Sequence, residues 1–233
     1  MKVFNLRTLT NIWPILRKGP FLLYILGKLS KKIPLFRRHG HLFRQTLIDE
    51  IRGHLEPLDI LLVNYNFRLN HLFIPSFFSH TGLYLGDFRL QGKVLKDSCL
   101  DVDADGVNLI PLDEFLDCDS LLVLRDRSLV DGVRRSEILS EIPKHIGKKY
   151  DFRYDLHDPS RQYCTKMVLT LFSHLHLRER IPKTPIVVPD YLVWLSLYRV
   201  RELEMIMFYL DGEPVRPIPL DLLEERIVCE ECP

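Results

Sequence analysis

The sequence predicts an α+β fold in which a mainly antiparallel sheet packs on an apolar helix carrying a cysteine. Three observations lead there. Short apolar runs separated by Gly, Asp and Pro turn signals recur from Asp59 to Arg125, the pattern of successive strands. From Ser160 to Leu175 the apolar residues fall at helical spacing instead. A final apolar run, Leu203 to Leu210, closed by Asp211-Gly212, returns to the strand pattern. The 233 residues, 46% hydrophobic and 27% charged, suffice for one substantial core and exclude a disordered chain.

Residues 1–48 contain ten Lys or Arg and no Asp or Glu, so the remainder of a chain with 32 basic and 31 acidic residues is net acidic. The apolar runs Ile12-Trp13-Pro14-Ile15-Leu16 and Phe21 to Leu26 in this arm are too short to span a bilayer. Pro14, Arg17 and Lys18 interrupt any secretory signal, and no small-residue cleavage site follows. Two readings remain open for the arm. It is a cationic amphipathic segment that lies on an anionic membrane surface, or a pair of helices covering the domain's own core. The expected division is a basic helical arm over residues 1–50, one domain over 51–222 and a tail over 223–233.

Leu47 to Leu55 reads as a helix ended by Glu56-Pro57, and Asp59 to Asn64 as a buried strand. A loop from Arg68 to Phe78 leads to a second buried strand, His80 to Gly86. Turn signals at Gly86-Asp87 and Gln91-Gly92 precede a third, Lys93 to Asp101. Asp105-Gly106 turns the chain into Val107–Ile110, followed by a helical turn at Pro111–Leu116 and a strand at Ser120–Arg125. Val133 to Ile146 has helical periodicity and is closed by Gly147. Lys149 to Asp155 is an aromatic and charged connector. Asp158-Pro159-Ser160 supplies a cap and a first-turn proline for the helix that contains Cys164. Pro182, Pro185 and Pro189 mark an extended segment, and Asp190 to Leu197 a short helix.

The chemistry centres on Cys164 and His80. A thiol attacks as its thiolate, and a helix N-terminus lowers the thiol pKa through its dipole and free N–H groups. Cys164 is expected one to two turns from the proposed cap. His80 opens an apolar strand, where it is available as the base that draws the thiol proton. Buried cysteines and hydrogen-bonded histidines are also ordinary structural residues, so the pair gains weight only with a third group that orients the imidazole. Hairpin arithmetic offers one. If the strands turn between Gly86 and Lys93, facing residues have numbers summing to about 179 to 181, which puts position 80 opposite about 99 to 101. Asp101 is then the expected orienter, Asp103 the reserve, and Asp97 ranks below both because it lies nearly 10 Å (roughly three strand residues) away. Tyr163 and Tyr84 are candidate cleft residues that would fit the core equally well.

With these residues in view, the chain resembles the YiiX/YaeF-type permuted papain-like cysteine amidohydrolases, relatives of the NlpC-type cell-wall peptidases. The resemblance rests on Pro57–Leu62, Phe78–Gly86, Gly106–Leu112 and Gly147-Lys148-Lys149-Tyr150-Asp151-Phe152 leading to Tyr163-Cys164-Thr165. It covers about residues 56 to 212 and leaves residues 1–50 outside. It implies a circularly permuted papain-like fold, Cys164 as nucleophile and His80 as base. The family's third polar residue, usually acidic and five before a Gly-Val pair, corresponds to Asp101. One departure stands out. Two residues after the cysteine, where the family often has Glu, this chain has Lys166, a charge reversal that points to a changed ligand.

The expected activity is hydrolysis of an amide in a small molecule or peptide, through an acyl-enzyme and without a cofactor or metal. Two rivals stand beside it: acyl hydrolysis or transfer on a lipid ester or amide at a membrane surface, and a non-catalytic binding module on the same fold. Nucleic-acid binding is not expected, because the basic residues alternate with long apolar runs and no recognition signature accompanies them. Five cysteines, few and odd in number, favour a reducing, cytoplasmic compartment, with membrane association through the arm. Cys229-Glu-Glu-Cys232 lacks the second pair of ligands that zinc requires and reads as a solvated tail.

Overall fold

The structure, a computed structural model, describes residues 43, 45–65, 76–130, 132–184 and 186–227. Most of the basic arm, most of the 68–78 loop, and Cys229 and Cys232 therefore lie outside the described residues.

Seven strands form one antiparallel sheet in the order β4-β3-β2-β1-β5-β8-β9. They are β1 Ile60–Asn64, β2 His80–Leu90, β3 Lys93–Asp103, β4 Gly106–Pro111, β5 Ser120–Asp126, β8 Leu203–Leu210 and β9 Glu213–Pro214. The two-residue strands β6 Lys149–Tyr150 and β7 Arg161–Gln162 pair in parallel as a separate ladder. Every residue of central β1 is buried, because both faces of the sheet are covered. Ile60 and Leu62, with Leu122 and Leu124 of β5, belong to one apolar cluster, and Leu61 and Val63, with Leu121 and Val123, to another. This explains why the central strands read as continuous apolar runs rather than alternating ones.

The first cluster takes in residues from α3 Gly132–Glu141, α4 Cys164–Leu171, α6 Asp190–Tyr198 and α7 Leu220–Ile227. The second is closed by α1 Gln45–His54 and the single turn α2 Leu112–Phe115. A further turn of helix, α5 Leu177–Arg180, links α4 to the extended proline segment. Two features cross the division expected from sequence: Phe43 packs edge-on to Tyr209 at 5.8 Å, and α7 carries Leu223 into the core with no exposure.

Two polar devices fix the sheet around β1 and β4. Arg125 of β5 forks onto the buried Asp59, with Nε to Oδ1 and Nη2 to Oδ2 both at 2.7 Å, and also reaches Glu56 and the His54 carbonyl. At Gly106, φ +117°, an added Cβ would lie 2.3 Å from the Lys148 carbonyl oxygen. That close approach lets Val107 exchange hydrogen bonds with Gly147 and Lys148, which seats the start of the Lys149–Tyr150 segment against β4.

Candidate active site

The β2–β3 hairpin sets the histidine. Its strands run through to Leu90 and Lys93, joined by Gln91 and Gly92 with φ of 49° and 80°. Two positive φ values in a two-residue loop are those of a primed hairpin turn. Facing pairs such as Leu83 with Leu100 and Leu90 with Lys93 sum to 183, not the expected 179 to 181. The pairing shifts at Gly86 absorb the irregularity but do not move the centre back. Continued past Leu83, this register puts Asp101 opposite Gly82 and leaves His80 one diagonal step away.

The diagonal is bridged. His80 Nε2 lies 2.5 Å from Asp101 Oδ1. A glycine stands between them for a steric reason: a Cβ on Gly82 would meet a Phe115 ring carbon at 2.4 Å and the Leu100 carbonyl oxygen at 2.9 Å. Phe115 fills that space and lies 5.7 Å, centroid to centroid, from the His80 ring. Asp103 instead accepts the Asp105 N–H at 2.7 Å and caps the β3–β4 turn. Asp97 bonds Tyr84 Oη at 2.8 Å and also pairs with Arg52.

Cys164 comes from the other direction. Sequence signals place the helix start near Asp158–Ser160, but those residues make an Asx turn, with the Ser160 N–H and hydroxyl both on Asp158 Oδ1. Helix α4 begins at Cys164 itself, after an extended Tyr163 (φ −131°, ψ 165°). Its first intrahelical bond runs from the Met167 N–H to the Tyr163 carbonyl at 3.0 Å. The N–H groups of Cys164, Thr165 and Lys166 thus have no helical acceptor and point to the N-terminal side. The His80 ring and the Thr81 backbone are the neighbours, with Thr165, that favour ionisation of the sulfur. The histidine lies at the open end of the hairpin, where β2–β3 pairing begins only at Leu83. With Nε2 taken by Asp101, Nδ1 is the ring nitrogen left for the thiol.

The electrostatics follow from these contacts. Burial pushes the Cys164 thiol up, but the hydrogen bond and charge of His80, with Thr165 and Thr81, bring it below its ordinary value. Burial pulls His80 down, yet Asp101 and the Cys164 sulfur raise it to about 10. Both directions favour thiolate beside imidazolium. Thr165 Oγ1 lies 3.9 Å from the sulfur.

The three residues expected to line a cleft are placed differently. Lys166 is buried, and its ammonium group is enclosed by Asp151 Oδ2 at 3.2 Å and the carbonyls of Asp155 and Asp158. Its charge is directed into the β6–β7 loop, so it ties that loop down rather than presenting a cation to a ligand. Tyr84 is 7% exposed, in the second cluster, with its hydroxyl on Asp97. It lies four residues along β2 from His80, roughly 13 Å at strand rise. Tyr163 is beside the cysteine but 1% exposed.

Residues not singled out as site members from sequence complete the surroundings. Tyr154 (φ +54°) packs edge-on to Tyr163 at 5.2 Å, and Tyr150 meets Tyr154 at 6.2 Å and Phe152 at 4.6 Å. Tyr150, Phe152 and Tyr154 are half-buried and form an aromatic cluster that reaches Tyr163, the chain neighbour of Cys164. Their clustering in the Tyr150–Tyr154 connector was the available signal. Among the described residues no group of three or more His, Cys, Asp or Glu side chains is placed to hold a metal ion. Nor is any helix among them long and apolar enough to cross a membrane.

A helix-borne sulfur, an imidazole and a carboxylate are the residue set used by papain-like cysteine hydrolases, with the histidine strand here preceding the cysteine helix. Residues 54–186 match the family model of the permuted papain-like amidase enzymes, YaeF/YiiX, C92 family. The chain belongs to this family and is an enzyme of the amide-hydrolysing kind. A solved structure with a similar fold is the Escherichia coli O157:H7 protein yiiX, described as a metalloprotein. It is 17% identical, the match covers 67% of this chain and 99% of that one, and the TM-score is 0.49. No curated protein matches the chain.

Proposed function

We propose that the protein cleaves an amide bond through a thioester acyl-enzyme on Cys164, with His80 as acid and base and Asp101 as the group that orients the imidazole. The observation that carries this reading is the 2.5 Å contact of His80 Nε2 with Asp101, beside a Cys164 thiol that His80 shifts below its ordinary pKa. The Cys164 thiolate attacks the carbonyl carbon, and the developing oxyanion is received by unpaired N–H groups of the first turn of α4. The C–N bond breaks as His80 gives its proton to the departing amine, leaving the acyl group on sulfur. His80, now neutral, takes a proton from water, whose oxygen attacks the thioester. The acid is released, and thiolate and imidazolium are restored. Asp101 keeps Nε2–H engaged throughout, so Nδ1 remains the nitrogen that exchanges protons.

The cluster of Tyr150, Phe152 and Tyr154 supports an acyl portion with apolar or aromatic surface. Lys166 serves this site indirectly, by holding the loop that carries Tyr154. The test is labelling by a thiol-directed acylating probe. Cys164 is expected to carry the acyl group, with no adduct in Cys164→Ala. Equal labelling of both proteins would overturn the mechanism.

A second reading keeps the same chemistry and moves the substrate to a lipid amide or ester. It is favoured by the arm, with ten cationic and no anionic side chains in residues 1–48 interleaved with Trp13, Phe21 and Tyr24. Removing residues 1–45 should abolish binding to anionic liposomes, and unchanged binding would exclude this role for the arm.

A further inference from the structure

The connection entering β2 is anchored from a remote part of the chain. Between Asn64, the end of β1, and His80 lie fifteen residues, a length over which local chain geometry fixes nothing. The chain is caught again just before the histidine. Asp190, first residue of α6, accepts the Phe77 N–H on Oδ2 at 2.7 Å and the Phe78 N–H on Oδ1 at 2.9 Å. Ser79 N–H then bonds the Val63 carbonyl at 3.0 Å, and His80 pairs with Val63. The carboxylate is 7% exposed, and among the described residues no cationic side chain pairs with it. A buried, unpaired carboxylate is costly, and the helix N-terminus it sits on offsets only part of that cost. Nothing about α6 alone requires such a group, since the helix is already packed through Leu192, Val193 and Leu195, all fully buried.

We propose that Asp190 is a positioning residue for the reaction: both oxygens grip the Phe77–Phe78 backbone and so fix the entry of β2 and the aim of the His80 ring at Cys164. This rests on the reading of His80 as the base. The grip needs both oxygens as acceptors. Burial raises the Asp190 carboxyl to about 7, against the Phe78 and Phe77 N–H groups and the Ser76 hydroxyl, which oppose the rise. Protonation converts one acceptor to a hydroxyl, so the two-handed hold is complete only above that pH.

The test uses the full chain and iodoacetamide, whose alkylation rate at Cys164 reports the thiolate held by His80 without requiring a substrate. Rates are measured against pH for the parent, Asp190→Asn, Asp190→Ala and His80→Ala, with thermal melting to establish folding. His80→Ala should lose the fast alkylation seen at pH values below the ordinary thiol range. Asp190→Ala should fall about tenfold to a hundredfold toward the His80→Ala rate, because small misplacements of reacting groups carry penalties of that size. Asp190→Asn, which keeps one acceptor oxygen, should fall between and lose the step that the parent shows near pH 7. If Asp190→Ala does not fold, Asp190→Asn decides alone. A folded Asp190→Asn with the parent's rate and pH profile overturns the proposal while leaving His80 as base. An unchanged profile in His80→Ala removes the base reading and this inference with it.

Discussion

Among the described residues two histidine–carboxylate pairs look alike at first. His80 Nε2 lies 2.5 Å from Asp101, and His174 Nε2 lies 2.7 Å from Asp126. The imidazoles are equally exposed, at 18% and 17%. The surroundings differ. The His80 ring is also coupled electrostatically to the Cys164 sulfur at the head of α4. His174 lies beyond the other end of that helix, with Phe172 as its ring neighbour at 6.0 Å. Asp126 has a second task, taking the Ser128 N–H and hydroxyl on Oδ1 at 2.8 and 2.7 Å. A His–Asp contact therefore does not make a site. What distinguishes the first pair is a sulfur coupled to the imidazole and a helix N-terminus behind that sulfur.

This contrast can be broken by substitution. Cys164→Ala should reduce amide hydrolysis by about 10⁴-fold or more, since no other group supplies the nucleophile. His80→Ala should cost about 10²- to 10⁴-fold in kcat/KM, whereas His174→Ala should stay within about threefold of the parent. His174→Ala should instead lower stability by about 1–3 kcal/mol, because the buried Asp126 loses a partner. Parallel kinetics and denaturant melts separate these outcomes, and equal kinetic losses at the two histidines would erase the distinction.

Asp101→Asn sharpens it further. Removing the negative charge lowers the His80 pKa, which weakens the imidazolium beside the sulfur and lets the Cys164 pKa rise. The acid limb of the kcat/KM profile should move to higher pH, with a loss of about 10²-fold near neutrality. Lys166→Met tests the loop. It leaves Asp151 buried without its cation, and about 3–5 kcal/mol of stability should be lost. KM should rise more than kcat falls, because the aromatic cluster moves while the sulfur and imidazole stay in place.

The smallest effect concerns stability against pH. In the folded chain His80 holds a proton above its ordinary 6.5, while Cys164 gives one up below its ordinary 9.0. The two shifts have opposite signs in the number of protons bound on folding, so where both operate they offset one another. In Cys164→Ala only the raised histidine remains. Its stabilisation is complete below pH 6.5 and should drain away as the pH rises toward the folded pKa. A melt series across that range should show the decline in the variant relative to the parent.

Much of this arrangement was legible in the sequence because it rests on local pattern. The apolar runs of β1 and β5 mark buried strands, and the order of the His80 strand and the Cys164 helix carried the family resemblance. Asp101 was selected by a hairpin count whose centre was two to four short in the sum. Asp101 still reaches His80, because Gly82 leaves room for a diagonal contact that the count does not include. The Asp158–Ser160 cap signal is real but closes a turn in the loop, and only the pairing of Arg161–Gln162 with β6 delays the helix to Cys164. Lys166 as a loop anchor, Arg125 on Asp59 and Asp190 on Phe77 and Phe78 could not be read. Each joins distant elements through one side chain, and a single sequence carries no periodicity for such contacts.

On the proposed mechanism Cys164 is held as a thiolate by His80, and titration of the thiol measures this directly. Ultraviolet thiolate absorbance, taken as the difference between the parent and Cys164→Ala, should show Cys164 ionised well below its ordinary 9.0 and shifted upward in His80→Ala. Titration of Cys164 at or above 9.0 in the folded parent, unchanged by His80→Ala, would contradict the account.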